Sequence, residues 1–229
     1  MAGVSHRSVL VLSLCLVFAG ALWLTGRGTA RAQADPHRPE GPVAFQTGAE
    51  CMACHNGLTT RTGEDVSIGV SWRASMMAHS SRDPYWQSAV RRESIDHPEH
   101  AAAIEDECSI CHMPMTTYPA RAAGSLGKVF AHLPIGHGGR DLLAADGVSC
   151  TVCHQITEQR LGSPESFTGG YVLNVARPGA PQPMFGPFQI DEGRTNLMRS
   201  ATGLTPTESL HVRRSELCAS CHTLFTQAL

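Results

Sequence analysis

The chain has 229 residues, with 18 basic side chains, 20 acidic side chains and 12 histidines, for a formal net charge of −2. That balance offers no excess of positive charge to a nucleic acid, and the length suits a single domain. Aromatic residues make up only 6% while glycine and proline together number 36, a composition that supplies a thin core unless something large and apolar fills it.

Residues 1–34 read as an export signal. Arg7 gives a short basic region, Val9 to Leu24 is an almost unbroken apolar run, and Ala32-Gln33-Ala34 fits an A-x-A cleavage site before Asp35. The run has 16 residues, short of the 18 or more that mark a spanning helix. Arg27 and Arg31 flank it as a stop signal would, so a retained N-terminus that anchors the protein to a membrane is the competing reading. Cys15 follows Leu14, which is too bulky for a lipidation site. Residues 35–48 are an irregular lead-in, and residues 49–229 form the domain proper.

The fold class expected is mainly α with extensive loops and little or no sheet, because no run alternates long enough to insist on strands. CMACH at 51 comes first. In SWRASMMAHS, Trp72, Met76 and His79 fall at helical spacing on one face. Asp83 and Pro84 have the residue types of an N-cap and a first helical position, and Pro98 begins a further helix that runs into CSICH at 108. Residues 134–140 and 162–188 are rich in glycine and proline and read as loops on either side of CTVCH at 150. Finally, Thr205 and Glu208 have capping-box spacing, which predicts a helix running into CASCH at 218.

Eight of the nine cysteines sit in these four CxxCH motifs. With histidine at 12 of 229 positions, four chance placements have odds on the order of one in 10⁵. Zinc sites built from paired CxxC units have no required place for a histidine after each pair. A thioredoxin-like site needs one motif near a βαβ unit, and none is visible. A c-type haem needs this arrangement: two thiols tether the porphyrin edge as thioethers, and the adjacent imidazole reaches the iron. Four covalent haem c groups are therefore expected, attached at Cys51, Cys54, Cys108, Cys111, Cys150, Cys153, Cys218 and Cys221, with His55, His112, His154 and His222 as proximal iron ligands. The motifs start 57, 42 and 68 residues apart, which is no strict repeat.

Outside the signal seven histidines remain: His37, His79, His97, His100, His132, His137 and His211. His79, His137 and His211 are the candidate distal ligands. His79 shares its face with Met76, and Met76 or Met77 is a rival that would raise the potential of the iron. His137 lies among glycines that permit close approach to a porphyrin. His211 lies 11 residues before His222, roughly 16 Å along a helix, too far to cap the same iron but able to reach a neighbouring one. Arginine outnumbers lysine 17 to one, which suits propionate carboxylates, although codon bias explains it as well. Removing residues 1–34 takes away three of the 18 basic side chains and no acid, leaving 15 against 20, a net of −5. Four ferric haems with ionised propionates bring this to roughly −9.

The motifs, with WRASMMAHSSRDPYW, DGVSCTVCH, SELCASCHTLFT, CHMP at 111 and MFGPF at 184, resemble the multihaem c-type cytochromes related to the tetrahaem cytochrome of ammonia oxidisers and to hydroxylamine oxidoreductase. The likeness covers roughly residues 48–229. It implies a loop-rich helical fold around closely packed haems, outside the inner membrane, serving respiratory electron transfer. Some members are enzymes acting on nitrogen or sulfur oxyanions. Unlike the pentahaem nitrite reductases, which carry a CxxCK motif, all four motifs here end in histidine. The chain stops seven residues after His222 where related proteins commonly continue, which reads as a fragment of a longer cytochrome.

An exported, periplasmic or extracellular tetrahaem carrier working between redox partner proteins is the leading expectation, with filament or oligomer formation as a variant of it. The alternative is a redox enzyme or enzyme subunit acting at a five-coordinate haem on hydroxylamine or on nitrogen or sulfur oxyanions. Tyr85, Tyr118 and Tyr171 are available for catalysis, but nothing in the sequence singles one out.

Overall fold

Serine, glycine and proline interrupt this chain so often that the fold is a string of short helices joined by loops. The computed structural model describes residues 45–59, 62–134, 141–174 and 180–226. The expected signal segment, the lead-in up to residue 44, His37 and His137 lie outside the described residues.

The helices are α1 (Gly48–Met52), α2 (Ile68–Arg73), α3 (Met76–His79), α4 (Pro84–Asp96), α5 (Ala101–His112), α6 (Pro114–Ala122), α7 (Leu142–Ala145), α8 (Cys150–Cys153), α9 (Glu192–Thr202) and α10 (Ser215–His222). Strands β1 (Gln182–Gly186) and β2 (Leu204–Glu208) flank α9 and pair in parallel, Gln182 opposite Leu204 and Gly186 opposite Glu208. Among the described residues the fold is thus mainly α with one small sheet.

Local chemistry sets several boundaries. The Asp83 carboxylate accepts from Tyr85 N at 2.9 Å and Pro84 opens α4, as the residue types predict. Helix α5 stops at His112 because Met113 leaves the helical region (φ −132°, ψ 47°), and Pro114 then restarts the chain as α6. This break is the CHMP phrase. Helix α5 starts at Ala101, three residues after the expected Pro98.

Three expectations are corrected. The stretch 71–80 is not one helix: Ser75 turns extended (ψ 155°), its hydroxyl bonds to Trp72 O at 2.7 Å and accepts from Ala78 N, and a new helix begins. Serine competing for backbone partners breaks the face on which Trp72, Met76 and His79 were to align. Within 162–188, a 3-10 turn at Pro164–Ser166 and strand β1 replace part of the expected loop. The segment before the fourth motif is not a continuous helix either. Thr205 and Glu208 lie in β2, Leu210–Arg213 is a 3-10 turn, and α10 begins only at Ser215 after an extended Arg214. A strand partner some twenty residues upstream outweighs the local capping signal. A capping box forms instead at α1 between Thr47 and Glu50, where Thr47 N donates to Glu50 Oε1 at 3.2 Å.

Two clusters form the core. Ile110, Tyr118, Ile156, Tyr171, Leu173 and Leu217 make the first, with Cys111, Cys153 and Cys221 packed on it. Trp86, Val90, Met113 and Val129 make the second, with Cys108 at its edge. Helix α5 carries one face to each and organises the return of the chain: Asp106 pairs with Arg121 (2.9 Å) and accepts from Gly127 N (2.6 Å), while Glu105 accepts from Val129 N and Phe130 N.

Candidate cofactor-attachment site

Each CxxCH motif lies on a helical turn. Cys51 is in the last turn of α1 and His55 N returns to Cys51 O at 2.9 Å; α5 and α10 end on His112 and His222; His154 N returns to Cys150 O at 3.0 Å after α8. Positions i, i+3 and i+4 share a helical face, so both thiols and the imidazole of each motif leave on the same side. All eight motif cysteines are free thiols.

Two of the four motif histidines are held by protein. His112 Nδ1 lies 3.1 Å from Ser80 O, and His154 Nδ1 lies 2.6 Å from Phe185 O. A carbonyl only accepts, so each Nδ1 carries the proton and Nε2 is left with its lone pair. That is the tautomer a metal-binding imidazole needs, and the carbonyl on Nδ1 fixes the ring orientation. Burial holds His112 below the usual imidazole range, against the opposing pull of Ser80 O and Asp83, which favours the neutral ligand form. Trp86 stacks on the His112 ring, with centroids 4.4 Å apart and planes 4° from parallel. His55 and His222 are exposed.

The motifs are drawn together across the sequence. The Cys51 and Cys150 thiols are close enough to shift each other's titration, as are those of Cys111 and Cys221. The first motif therefore meets the third, and the second meets the fourth. In the first pair the neighbouring Cys51 thiol lowers Cys150 against the effect of burial, while Cys51 itself is raised. In the second pair the neighbouring Cys221 thiol lowers Cys111, and Cys221 is raised. Cys153 is pushed up to about 11, chiefly by burial, and feels both Cys218 and Cys150, which links the third motif to the fourth. Cys108 is raised to about 11, again chiefly by burial.

Several supports join these motifs. Asp146 accepts from Gly48 N at 2.6 Å, bringing α1 to the approach of the third motif. Phe185, in the MFGPF phrase, also donates its N–H to His154 O at 2.7 Å. Between the second and fourth motifs, Gly169 (φ +75°) donates to Ser220 O at 2.8 Å and packs on Ile110, and Tyr171 OH donates to Ile110 O at 3.0 Å.

The candidate distal histidines are differently placed. His211 is 3% exposed, its Nε2 is 2.7 Å from Ile156 O, its Nδ1 is 2.6 Å from Ser209 Oγ, and Phe185 meets its ring edge-on at 5.0 Å. Both nitrogens are thus committed to protein. His79 is exposed with Nε2 3.0 Å from Arg73 O. Met76 and Met77 are exposed, His97 and His100 flank α4 and α5, and His132 lies 3.0 Å from Asp141. Tyr118 and Tyr171 are buried and stacked 5.9 Å apart, whereas Tyr85 is exposed. The sequence reading missed Ser80 and Phe185, because their roles run through backbone carbonyls that any residue supplies.

The residues fit covalently attached haem: thiol pairs and imidazoles share helical faces, two imidazoles present the metal-binding tautomer, and motif cysteines line both apolar clusters. Among the described residues no three His, Cys, Asp or Glu side chains converge as a metal-ligand set. An apolar groove of about 630 Å³ beside the first motif, lined by Met52, Ala53 and Val70, and one of about 610 Å³ holding Arg82 and Arg91 offer further surface. No family profile, no curated protein and no solved structure matches this chain. Among the described residues no helix is long and apolar enough to cross a membrane.

Proposed function

We propose that this chain is an exported tetrahaem c-type cytochrome that carries electrons between respiratory redox partner proteins. Bound haem would supply a one-electron couple at each motif, and the protein's part is to hold those couples close together and set their potentials. The observation that carries this reading is the contact between motifs. Cys111, Cys153 and Cys221, from the second, third and fourth motifs, pack on one apolar cluster, and the Cys51 thiol lies near enough to Cys150 to shift its titration. Cofactors tethered at such thiols lie within one continuous group, so an electron entering at one exposed edge has a route to another.

A second reading has its own support. His79 and His211 both have Nε2 on a backbone carbonyl, so neither is free to take a distal position in this conformation. An iron left with neither a distal imidazole nor a methionine thioether would be five-coordinate and open to hydroxylamine or to nitrogen or sulfur oxyanions. EPR of the air-oxidised holoprotein separates the two. Only low-spin ferric signals support the carrier; a stoichiometric high-spin signal that shifts on adding nitrite or hydroxylamine supports the enzyme.

A further inference from the structure

The turn between Met76 and Ser81 touches two motifs at once. On one side Ser80 brackets His112: its carbonyl accepts from His112 Nδ1 at 3.1 Å, and its hydroxyl donates to His112 O at 3.0 Å. On the other side the turn meets the strand of backbone that enters the third motif. Val148 N donates to Met77 O at 3.0 Å, and Val148 O accepts from Trp72 Nε1 at 3.0 Å. Gly147, three residues before Cys150, fills the joint with φ +61°. A Cβ there would lie 2.5 Å from Met77 O and 2.7 Å from Ser80 Oγ, contacts no side chain tolerates without displacing the turn.

We propose that this turn couples the second and third motifs, with Ser80 as a positioning residue for His112 and Gly147 as the joint through which a change near the third motif is felt at the second. The inference rests on the haem reading above. The carbonyl on Nδ1 raises imidazole basicity and so favours the ferric state of any iron on Nε2. Displacing Ser80 weakens that bond, and the couple at His112 moves up. His154 is spared, because its carbonyl comes from Phe185, which is not part of the turn.

The test is a redox titration of the holoprotein followed by visible and EPR spectra. His112→Met and His154→Met identify which couple belongs to which motif. Gly147→Ala is expected to raise the reduced-to-oxidised ratio of the His112 couple at fixed potential about tenfold, about 59 mV for one electron, with the His154 couple unmoved. Ser80→Ala, which removes only the hydroxyl clamp, should move the same couple in the same direction by about threefold. If Gly147→Ala gives no folded protein, Ser80→Ala decides alone. An unmoved His112 couple in whichever variants fold, or a shift confined to the His154 couple, overturns the coupling. A pyridine haemochromogen count on the wild type stands apart: fewer than four covalent haems sinks the underlying reading, whereas four haems with an unmoved couple sinks only the relay.

Discussion

Phe185 holds His154 from both sides: its N–H donates to His154 O at 2.7 Å, and its carbonyl accepts from His154 Nδ1 at 2.6 Å. The side chain of Phe185 is engaged elsewhere, edge-on to His211. Backbone and side chain can therefore be tested separately. Phe185→Pro deletes the donor and, on the proposed haem reading, should shift the EPR g-values of an iron held by His154 as well as costing about 1–3 kcal/mol of stability. Phe185→Ala keeps the backbone bonds and should cost about 1–3 kcal/mol in packing while leaving those g-values in place. Equal spectra from both variants would contradict the assignment.

His211 is fixed by two hydrogen bonds in a buried site. Truncating it strands the Ile156 carbonyl, so His211→Ala should cost about 2–4 kcal/mol in denaturant unfolding. Because neither ring nitrogen is free, the number of low-spin haem signals should not change. Loss of one low-spin species would instead make His211 an iron ligand in the loaded protein.

Alkaline stability follows from Tyr118 and Tyr171. Burial raises both phenols above their ordinary value of 10.0, against the opposing effects of Leu173 N on Tyr118 and Arg121 on Tyr171. A folded-state value above the unfolded one contributes stability that is intact below about pH 10 and is lost as the pH rises toward the folded values. Urea midpoints should therefore fall above about pH 10. Tyr118→Phe with Tyr171→Phe should flatten that limb, at a cost of about 1–3 kcal/mol at neutral pH for the hydrogen bonds to Leu173 N and Ile110 O.

Gly169 tests the seam between the second and fourth motifs. A methyl group there meets Ile110 while the backbone sits at φ +75°. Gly169→Ala should lower stability by about 2–4 kcal/mol through left-handed strain and overpacking together. In an Ile110→Ala background, which lacks the Cγ1 and Cγ2 that the methyl would meet, the cost of Gly169→Ala should be smaller. An unchanged cost would show that the strain lies in the backbone alone.

How much of this was legible depends on how far away each partner sits. Asp83 and Pro84 set the start of α4 from adjacent residues, and the helical thiol–thiol–imidazole face follows from CxxCH spacing. Thr205 to Glu208 carries a local helix signal, yet the chain there is a strand because Gln182–Gly186 lies alongside. Ser75 breaks the helix that Trp72, Met76 and His79 needed, through a hydroxyl bond no periodicity reports. His211 read as a helix face toward a neighbouring iron and is placed instead on Ile156 O. Contact of Cys51 with Cys150 is a purely tertiary fact, with 98 residues between the two.

That contact pattern has a consequence for dissection. Pairing first with third and second with fourth interleaves the two pairs along the chain. A cut after the first motif orphans Cys150, a cut after the third orphans Cys111, and a cut midway parts both pairs. No two fragments of this chain can each keep a complete pair, although the four motifs look modular in the sequence.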